Sequence, residues 1–167
     1  MILAAALSRL ALYPFNFSPV IAMALFGGAV VADKKLAFAL PLVAMFISDV
    51  LFEVTNIAPG FWGWGQLIGY GILALITVLG FKLKNITALN VAGFSVLSSV
   101  IFFFLSNTSV WVFSGNAYAP TLTGWASCLA AGIPFLKNGL AADLVYSTVL
   151  FGGYALMLKF ASRKAVA

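Results

Sequence analysis

The chain of 167 residues contains no histidine, one cysteine and few charged residues, which make up 8% of the total. Without histidine it has no imidazole to bind haem, zinc or nickel, and no histidine base for catalysis. The single cysteine, Cys128, excludes an internal disulfide and a metal site built from cysteines alone. We therefore expect no cofactor and no enzymatic activity.

Hydrophobic side chains, by contrast, make up 63% of the chain, and aromatic side chains make up 15%. Soluble domains contain roughly 45–50% apolar residues. Because a transmembrane helix needs about 20 residues, about six helices use the whole length. The sequence therefore predicts an all-α integral membrane protein with one transmembrane domain over residues 1–167. The net charge of +5 indicates membrane orientation and anionic lipid rather than a nucleic-acid partner.

The expected apolar segments are separated by proline, glycine, asparagine and lysine. They cover about residues 2–12, 17–32, 36–54, 61–81, 86–105 and 139–159. Ser18 followed by Pro19 predicts an N-cap and the first position of the second helix. Small residues four apart, such as Ala24 and Gly28, predict close packing against another helix of this chain or of a second subunit.

Basic residues follow a pattern that predicts the topology. They lie at the ends of the apolar segments, at Lys34, Lys35, Lys82, Lys84, Lys159, Arg163 and Lys164. The apolar stretch 121–136 is short and contains Pro134. If it crossed the membrane, the C-terminal basic residues would face away from the others, against the positive-inside rule. We therefore predict six transmembrane helices, cytoplasmic termini and an external lid or re-entrant segment at about 107–136.

This topology places five ionisable residues in or near the outer half of the membrane, where a charge is costly and marks a candidate functional site. Tryptophan and amide side chains occur at the same level. The predicted ligand-binding residues are Arg9, Asp49, Glu53, Trp62, Trp64, Asn107, Trp111, Trp125, Lys137, Asn138 and Asp143. The alternative is a structural salt-bridge cluster that holds the helices together.

Each group of predicted residues has an expected role. Arg9 and Lys137 would neutralise a carboxylate or phosphate of the ligand, and the acidic side chains would accept ligand donors or hold these two cations. The tryptophans would form walls or a lid. Cys128 could ligate a soft metal, although a lone cysteine among apolar residues is more often a small buried side chain.

Several stretches resemble a bacterial family of small integral membrane proteins, of unknown function, described as putative transport proteins. They include Leu7-Ser8-Arg9-Leu10, Pro14-Phe15-Asn16-Phe17-Ser18-Pro19 and Ile133-Pro134-Phe135-Leu136-Lys137-Asn138. The resemblance covers most of the chain and implies a multi-pass protein of the bacterial inner (cytoplasmic) membrane.

A more distant resemblance is to the S components of energy-coupling-factor (ECF) vitamin transporters. It rests on the short second segment, 17–32, and on Pro134-Phe135-Leu136-Lys137 before the last helix. It implies a six-helix fold that binds substrate from outside and works with an ECF-type transmembrane coupling subunit and ATPases. Ala4 and Ser8 match the positions that contact the coupling subunit. The likeness of residues 17–32 to cobalamin-type components gives a corrinoid a slight lead, with Cys128 as the one soft cobalt ligand.

Three functions remain open at this point. The first is a substrate-binding component of a micronutrient uptake system, with membrane lipid as its surroundings and a small molecule as its ligand. The second, from another class, is a non-catalytic accessory subunit of a larger membrane complex. A lipid-modifying enzyme using Asp49 and Glu53 is a distant third, because the sequence supplies no nucleophile for it.

Overall fold

The computed structural model describes residues 1–10, 16–61, 63–113 and 115–164. Within these ranges the chain forms six α-helices and one 3-10 turn, and no β-strand. The helices are α1 (Ile2–Ser8), α2 (Val20–Val30), α3 (Lys34–Thr55), α4 (Trp64–Gly80), α5 (Ala88–Phe113) and α6 (Leu122–Lys164), with the 3-10 turn at Gly115–Ala117. The turn predicted at 13–16 falls outside the described residues except for Asn16.

Three helices are long and apolar enough to cross a membrane: Lys34–Thr55, Ala88–Phe113 and the part of α6 from Leu122 to Ser162. The helices α2 and α4 are apolar but shorter. At about 1.5 Å per residue, α2 covers about 17 Å and α4 about 26 Å of a hydrocarbon core of about 30 Å. The chain is therefore a helical membrane protein, as predicted.

Helix α2 lies at the centre of the bundle. Every residue from Ile21 to Gly28 is buried, and the helix contacts each of the other five. Because its sequence is apolar all round, it can be covered on every side. A Cβ atom on Gly28 would lie 2.1 Å from the Thr77 carbonyl oxygen, and one on Gly80 would lie 2.5 Å from the Leu25 carbonyl oxygen. The small residues of α2 thus admit a helix of the same chain, with the backbones of α2 and α4 in contact.

The start of α2 differs from the prediction by one residue. Pro19, not Ser18, is the N-cap residue, and no side chain caps the helix. The hydroxyl oxygen of Ser18 is buried and has no hydrogen-bond partner among the described residues. The prediction was wrong because Pro19, with backbone angles in the α region, occupies the cap position itself. The Ser18 hydroxyl is therefore not the capping group.

The basic residues that follow α4 lie next to those that begin α3. Asp33 caps α3 by accepting a hydrogen bond from the Leu36 amide at 2.9 Å. The Nζ atom of Lys34 lies 5.7 Å from the centroid of the Phe81 ring, which ends α4 just before Lys82. These two basic segments therefore share one end of the bundle.

Most of the region predicted as a lid or re-entrant segment, 107–136, is helical. Helix α5 continues to Phe113, and α6 begins at Leu122 and runs for 43 residues with Pro134 inside it. The Trp125 indole donates to the Thr108 hydroxyl at 3.0 Å, and the Trp111 indole donates to the Ala119 carbonyl at 2.9 Å. These bonds hold the two helix ends together as a hairpin. Composition and the position of Pro134 suggested a break in the helices. Neither of them reveals the hydrogen bonds that pair the two helix ends.

Candidate ligand-binding site

The predicted charge cluster separates into a closed polar network and an open cavity. The network begins at Arg9, directly after α1. Its Nη1 donates to Oδ1 of Asp49 at 2.8 Å, and it also contacts the Ser48 hydroxyl and the Met45 carbonyl. The guanidinium carbon lies 5.0 Å from the centroid of the Phe52 ring. This ion pair joins α1 to α3.

Asp49 is 2% exposed, and its second oxygen is also used. Oδ2 accepts hydrogen bonds from the Gln66 amide at 2.8 Å and from the Tyr70 hydroxyl at 2.7 Å. Gln66 and Tyr70 are one turn apart on α4, so both face α3 together. The carboxylate is thereby fully satisfied by three side chains from two neighbouring elements. Such a network holds helices in place and has little capacity left for a ligand.

Glu53 is not part of this network, because it has a hydrogen-bond partner of its own. Its Oε2 accepts a hydrogen bond from the Gly60 amide at 3.0 Å, in the turn between α3 and α4. A Cβ atom on Gly60 would lie 2.0 Å from the Asp49 carbonyl oxygen, so this turn packs directly on α3. Glu53 and Asp49 therefore hold the α3–α4 turn closed.

A cavity of about 320 Å³ lies beside the network, between the start of α2, the later part of α5 and the earlier part of α6. Its volume is at the lower end of the range of about 300–1,000 Å³ for small-molecule sites. The aromatic residues Phe102, Phe103 and Phe135 and the aliphatic residues Val20, Ile21, Leu136 and Leu140 form apolar walls. The rest of the described lining is polar or small: Arg9, Asn16, Ser18, Ser99, Ser106, Asn107, Gly139 and Asp143.

Two buried oxygen atoms of the lining lack a partner among the described residues: Oγ of Ser18 and Oδ1 of Asp143. The other Asp143 oxygen, Oδ2, accepts a hydrogen bond from the Ser99 hydroxyl at 2.6 Å. The Asn107 amide donates to the Phe103 carbonyl at 2.8 Å, within its own helix. Buried polar atoms are almost always hydrogen-bonded in folded proteins, so these two oxygens mark the cavity as a place where a polar group can bind.

The cavity lining thus contains three predicted site residues, Arg9, Asn107 and Asp143. Among the described lining residues, Lys137, Asn138, Trp64, Trp111 and Trp125 do not appear. Lys137 and Trp64 are exposed, whereas Trp111 and Trp125 bond within the hairpin. Asn138 is half-buried and makes a contact of its own. Trp62 lies outside the described residues.

Cys128 and the two predicted partner-contact residues have different surroundings. Cys128 is 2% exposed, and its thiol donates to the Asn107 carbonyl at 3.4 Å, outside the described lining of the cavity. Ala4 is exposed on α1. Ser8 faces the bundle, where its hydroxyl donates to the Ala5 carbonyl and lies 2.9 Å from the Tyr146 hydroxyl. Only Ala4 of this pair is free to meet a partner helix.

The sequence reasoning missed the serines and phenylalanines of the cavity, above all Ser18, Ser99 and Phe102. One signal was available for the serines. Ser95 and Ser99 are four residues apart on an apolar helix, and each hydrogen-bonds a polar side chain of α6, Ser147 and Asp143 respectively. Small polar residues at this spacing are typical of contacts between transmembrane helices.

Comparison with known proteins identifies the family. Residues 1–165 match a family described as being of unknown function, DUF6580. The chain belongs to DUF6580. The prediction of a family without an assigned function is therefore confirmed. No curated protein and no solved structure matches this DUF6580 chain, so its likeness to ECF S components stays a prediction.

Proposed function

We propose that this DUF6580 protein is the substrate-binding membrane component of a micronutrient uptake system, and that it binds a small ligand in the cavity between α2, α5 and α6. The observation that carries the proposal is the pair of unsatisfied buried oxygens, Ser18 Oγ and Asp143 Oδ1, in a cavity of about 320 Å³ with aromatic walls. Apolar walls with a few convergent polar groups are typical of small-molecule sites.

The proposed topology has six crossings, cytoplasmic termini and a location in the bacterial inner membrane. The shared position of Lys34 and the basic residues after α4 supports a cytoplasmic end. The cavity lies toward the other end, because it is formed by the later part of α5 and the earlier part of α6. It reaches the surface near Asn16 and Phe135, which are exposed. A ligand would therefore enter from outside.

Energy for uptake would come from a partner, since the chain carries no phosphate-binding loop motif. The sequence resemblance favours an ECF-type coupling subunit and its ATPases. Ala4, together with the exposed apolar side chains Leu3 and Leu7 on α1, offers such a subunit a surface. A corrinoid remains the ligand that the sequence favours, whereas the volume of the cavity favours a molecule smaller than a macrocycle.

Filling the cavity tests this proposal. A Cβ atom on Gly139 would make only an ordinary contact, 3.7 Å from the Asn16 carbonyl oxygen, so a larger side chain there extends into the cavity. Purified protein should show a higher unfolding temperature with at least one member of a panel of vitamins and small metabolites. Gly139→Phe should abolish that shift and the corresponding uptake.

Gly71→Phe is the matched control, because Gly71 is exposed on α4 and a Cβ atom there meets nothing within 4 Å. It should bind the compound as the unaltered protein does. If no compound in the panel shifts the unfolding temperature, and uptake by cells is the same with and without the protein, the transport proposal is wrong.

The network around Asp49 favours a second candidate, the accessory subunit. Arg9, Asp49, Gln66 and Tyr70 satisfy one another, as expected of charges that serve only assembly. The exposed apolar side chains Leu156, Met157 and Phe160 near the end of α6 would then contact another subunit. Stoichiometric co-purification with a membrane complex, by a variant with a filled cavity as well as by the unaltered protein, would support this role.

A further inference from the structure

Asp143 is a buried carboxylate that lacks a cationic side-chain partner among the described residues. It is 1% exposed, and Ser99 is the side chain that donates a hydrogen bond to it. Among the described residues, the ion pair is Arg9–Asp49 alone. An unpaired buried carboxylate costs several kcal/mol, by the general magnitude for such groups. A positive group placed beside this carboxylate would therefore stabilise it.

The nearby protein groups offset the negative charge of this carboxylate only in part. The backbone N–H of Ala22, in the first turn of α2, interacts favourably with the same carboxylate. The start of a helix carries about half a positive charge, so it offsets part of a full negative charge. Oδ1 of Asp143 still has no hydrogen-bond partner among the described residues.

The described lining therefore contains one acidic side chain, Asp143, without a paired base. Arg9 lines the cavity, but its charge is balanced by Asp49 at 2.8 Å. Lys137, which was expected to bind an anionic ligand group with Arg9, is exposed and is not among the described lining residues. Among the described lining residues, Asp143 is the ionisable side chain that has no oppositely charged partner. A cationic ligand group matches it, and an anionic group would be repelled.

The other residues that line the cavity indicate what kind of cationic group would fit. Phe102, Phe103 and Phe135 line the same cavity, and its volume of about 320 Å³ is roughly ten times the share of one water molecule in the liquid, about 30 Å³. A bare metal ion prefers a close shell of six or so oxygen ligands, which these phenyl rings do not supply. An ammonium group attached to an apolar or aromatic body fits both the carboxylate and the rings.

We propose that the cavity binds a small organic amine whose ammonium group contacts Oδ1 of Asp143 and Oγ of Ser18, with its apolar or aromatic body between Phe102, Phe103 and Phe135. This inference rests on the proposed function and specifies its ligand class. It replaces the anionic ligand that Arg9 and Lys137 had suggested. Both unsatisfied oxygens then gain a donor, and the buried charge gains its counter-ion.

Selectivity among ligands of one shape tests the inference on the unaltered protein. The probes are methylamine, 2-phenylethylamine and tryptamine, each compared by calorimetry with the alcohol that has a hydroxyl in place of the amine; 3-phenylpropionate is the anionic probe. We expect at least one amine to bind tenfold or more tightly than its alcohol, and the anion not to bind. Equal affinity of every amine and its alcohol, preferential binding of the anion, or no binding of any amine overturns the inference.

Two substitutions connect the selectivity to the site. Asp143→Asn should lower amine affinity at least tenfold, whereas Asp33→Asn, which removes one charge and keeps the cap of α3, should leave it unchanged. Ser18→Ala should lower amine affinity several-fold, whereas Ser98→Ala removes another buried unpartnered hydroxyl and should not. An amine affinity that neither Asp143→Asn nor Ser18→Ala lowers overturns the inference, and Ser18→Ala decides the point if Asp143→Asn does not fold.

Three further outcomes separate this inference from the function on which it rests. If sodium or potassium chloride alone raises the unfolding temperature and Asp143→Asn removes the effect, the site binds a bare ion and the amine assignment is wrong. If a neutral or anionic compound binds and Gly139→Phe abolishes its binding, the amine assignment also fails, but the substrate-binding function stands. If nothing binds and uptake does not depend on the protein, both fail.

Discussion

The guanidinium of Arg9 and the carboxylate of Asp49 form an ion pair at 2.8 Å that joins the end of α1 to the C-terminal half of α3. Gln66 and Tyr70 extend this contact to α4. Breaking a buried pair by removing one partner costs about 3–5 kcal/mol, because the other charge stays buried. Asp49→Ala should therefore lower the free energy of unfolding by about 3–5 kcal/mol, measured by denaturant titration in detergent.

The double variant Arg9→Met, Asp49→Leu separates the pair from its surroundings. Because it leaves no uncompensated charge, we expect it to lose less stability than either single substitution. Glu53→Gln, which keeps an acceptor for the Gly60 amide, should change the free energy of unfolding by less than about 1 kcal/mol. Strictly additive losses in the double variant would contradict a coupled ion pair.

The backbone contact between α2 and α4 gives a second prediction. Gly28→Ala and Gly80→Ala place a Cβ atom within 2.1 Å and 2.5 Å of carbonyl oxygens of the neighbouring helix, so the helices must separate. Overpacking of this kind costs about 1–3 kcal/mol, which should appear as a lower midpoint of thermal unfolding. Gly93→Ala, where a Cβ atom meets nothing within 4 Å, should leave the midpoint unchanged or raise it slightly. Equal effects at all three glycines would rule out a special contact.

Labelling with a membrane-impermeant maleimide tests the proposed orientation. In a Cys128→Ala background, cysteines at the exposed positions Lys35 and Lys84 should react in inside-out vesicles and not in intact spheroplasts. A cysteine at the exposed position Thr121, between α5 and α6, should show the opposite pattern. Labelling of Lys35→Cys and Lys84→Cys from opposite sides would contradict their shared end of the bundle.

Cys128 gives a fourth prediction. Its thiol is buried against the Asn107 carbonyl, so it should react slowly with a maleimide until the protein is unfolded by denaturant. Cys128→Ala should bind a ligand of the cavity as tightly as the unaltered protein does, measured by calorimetry. A large loss of affinity for a corrinoid in this variant would instead support cobalt ligation by the thiol.

The sequence predicted the membrane class and the positions of most helices, because long apolar runs bounded by lysine respond to the bilayer directly. It could not predict how far α5 and α6 extend. The contacts that stabilise 107–136 as a hairpin are Trp125 with Thr108 and Trp111 with the Ala119 carbonyl. Such pairings depend on which helices meet in space, and neither composition nor the position of Pro134 reveals that.

The sequence identified the charged residues of the candidate site, but it did not reveal which of them pair with one another. The expected depth of Arg9, Asp49 and Asp143 in the membrane rests on counting residues along helices. That Arg9 pairs with Asp49, and that no described cationic side chain pairs with Asp143, depends on the packing of α1 against α3. The sign of the charge that we propose for a ligand depends on that single choice of partner.

Helix α6 has a practical consequence because of its length. Its 43 residues measure about 64 Å, roughly twice the hydrocarbon thickness of about 30 Å, so even a strong tilt leaves part of it outside the bilayer. The hairpin end is held to α5 by hydrogen bonds from two indoles. A protein of 17.7 kDa is small for particle alignment in electron microscopy. An antibody fragment raised against the hairpin end would provide a fixed marker for imaging the cavity.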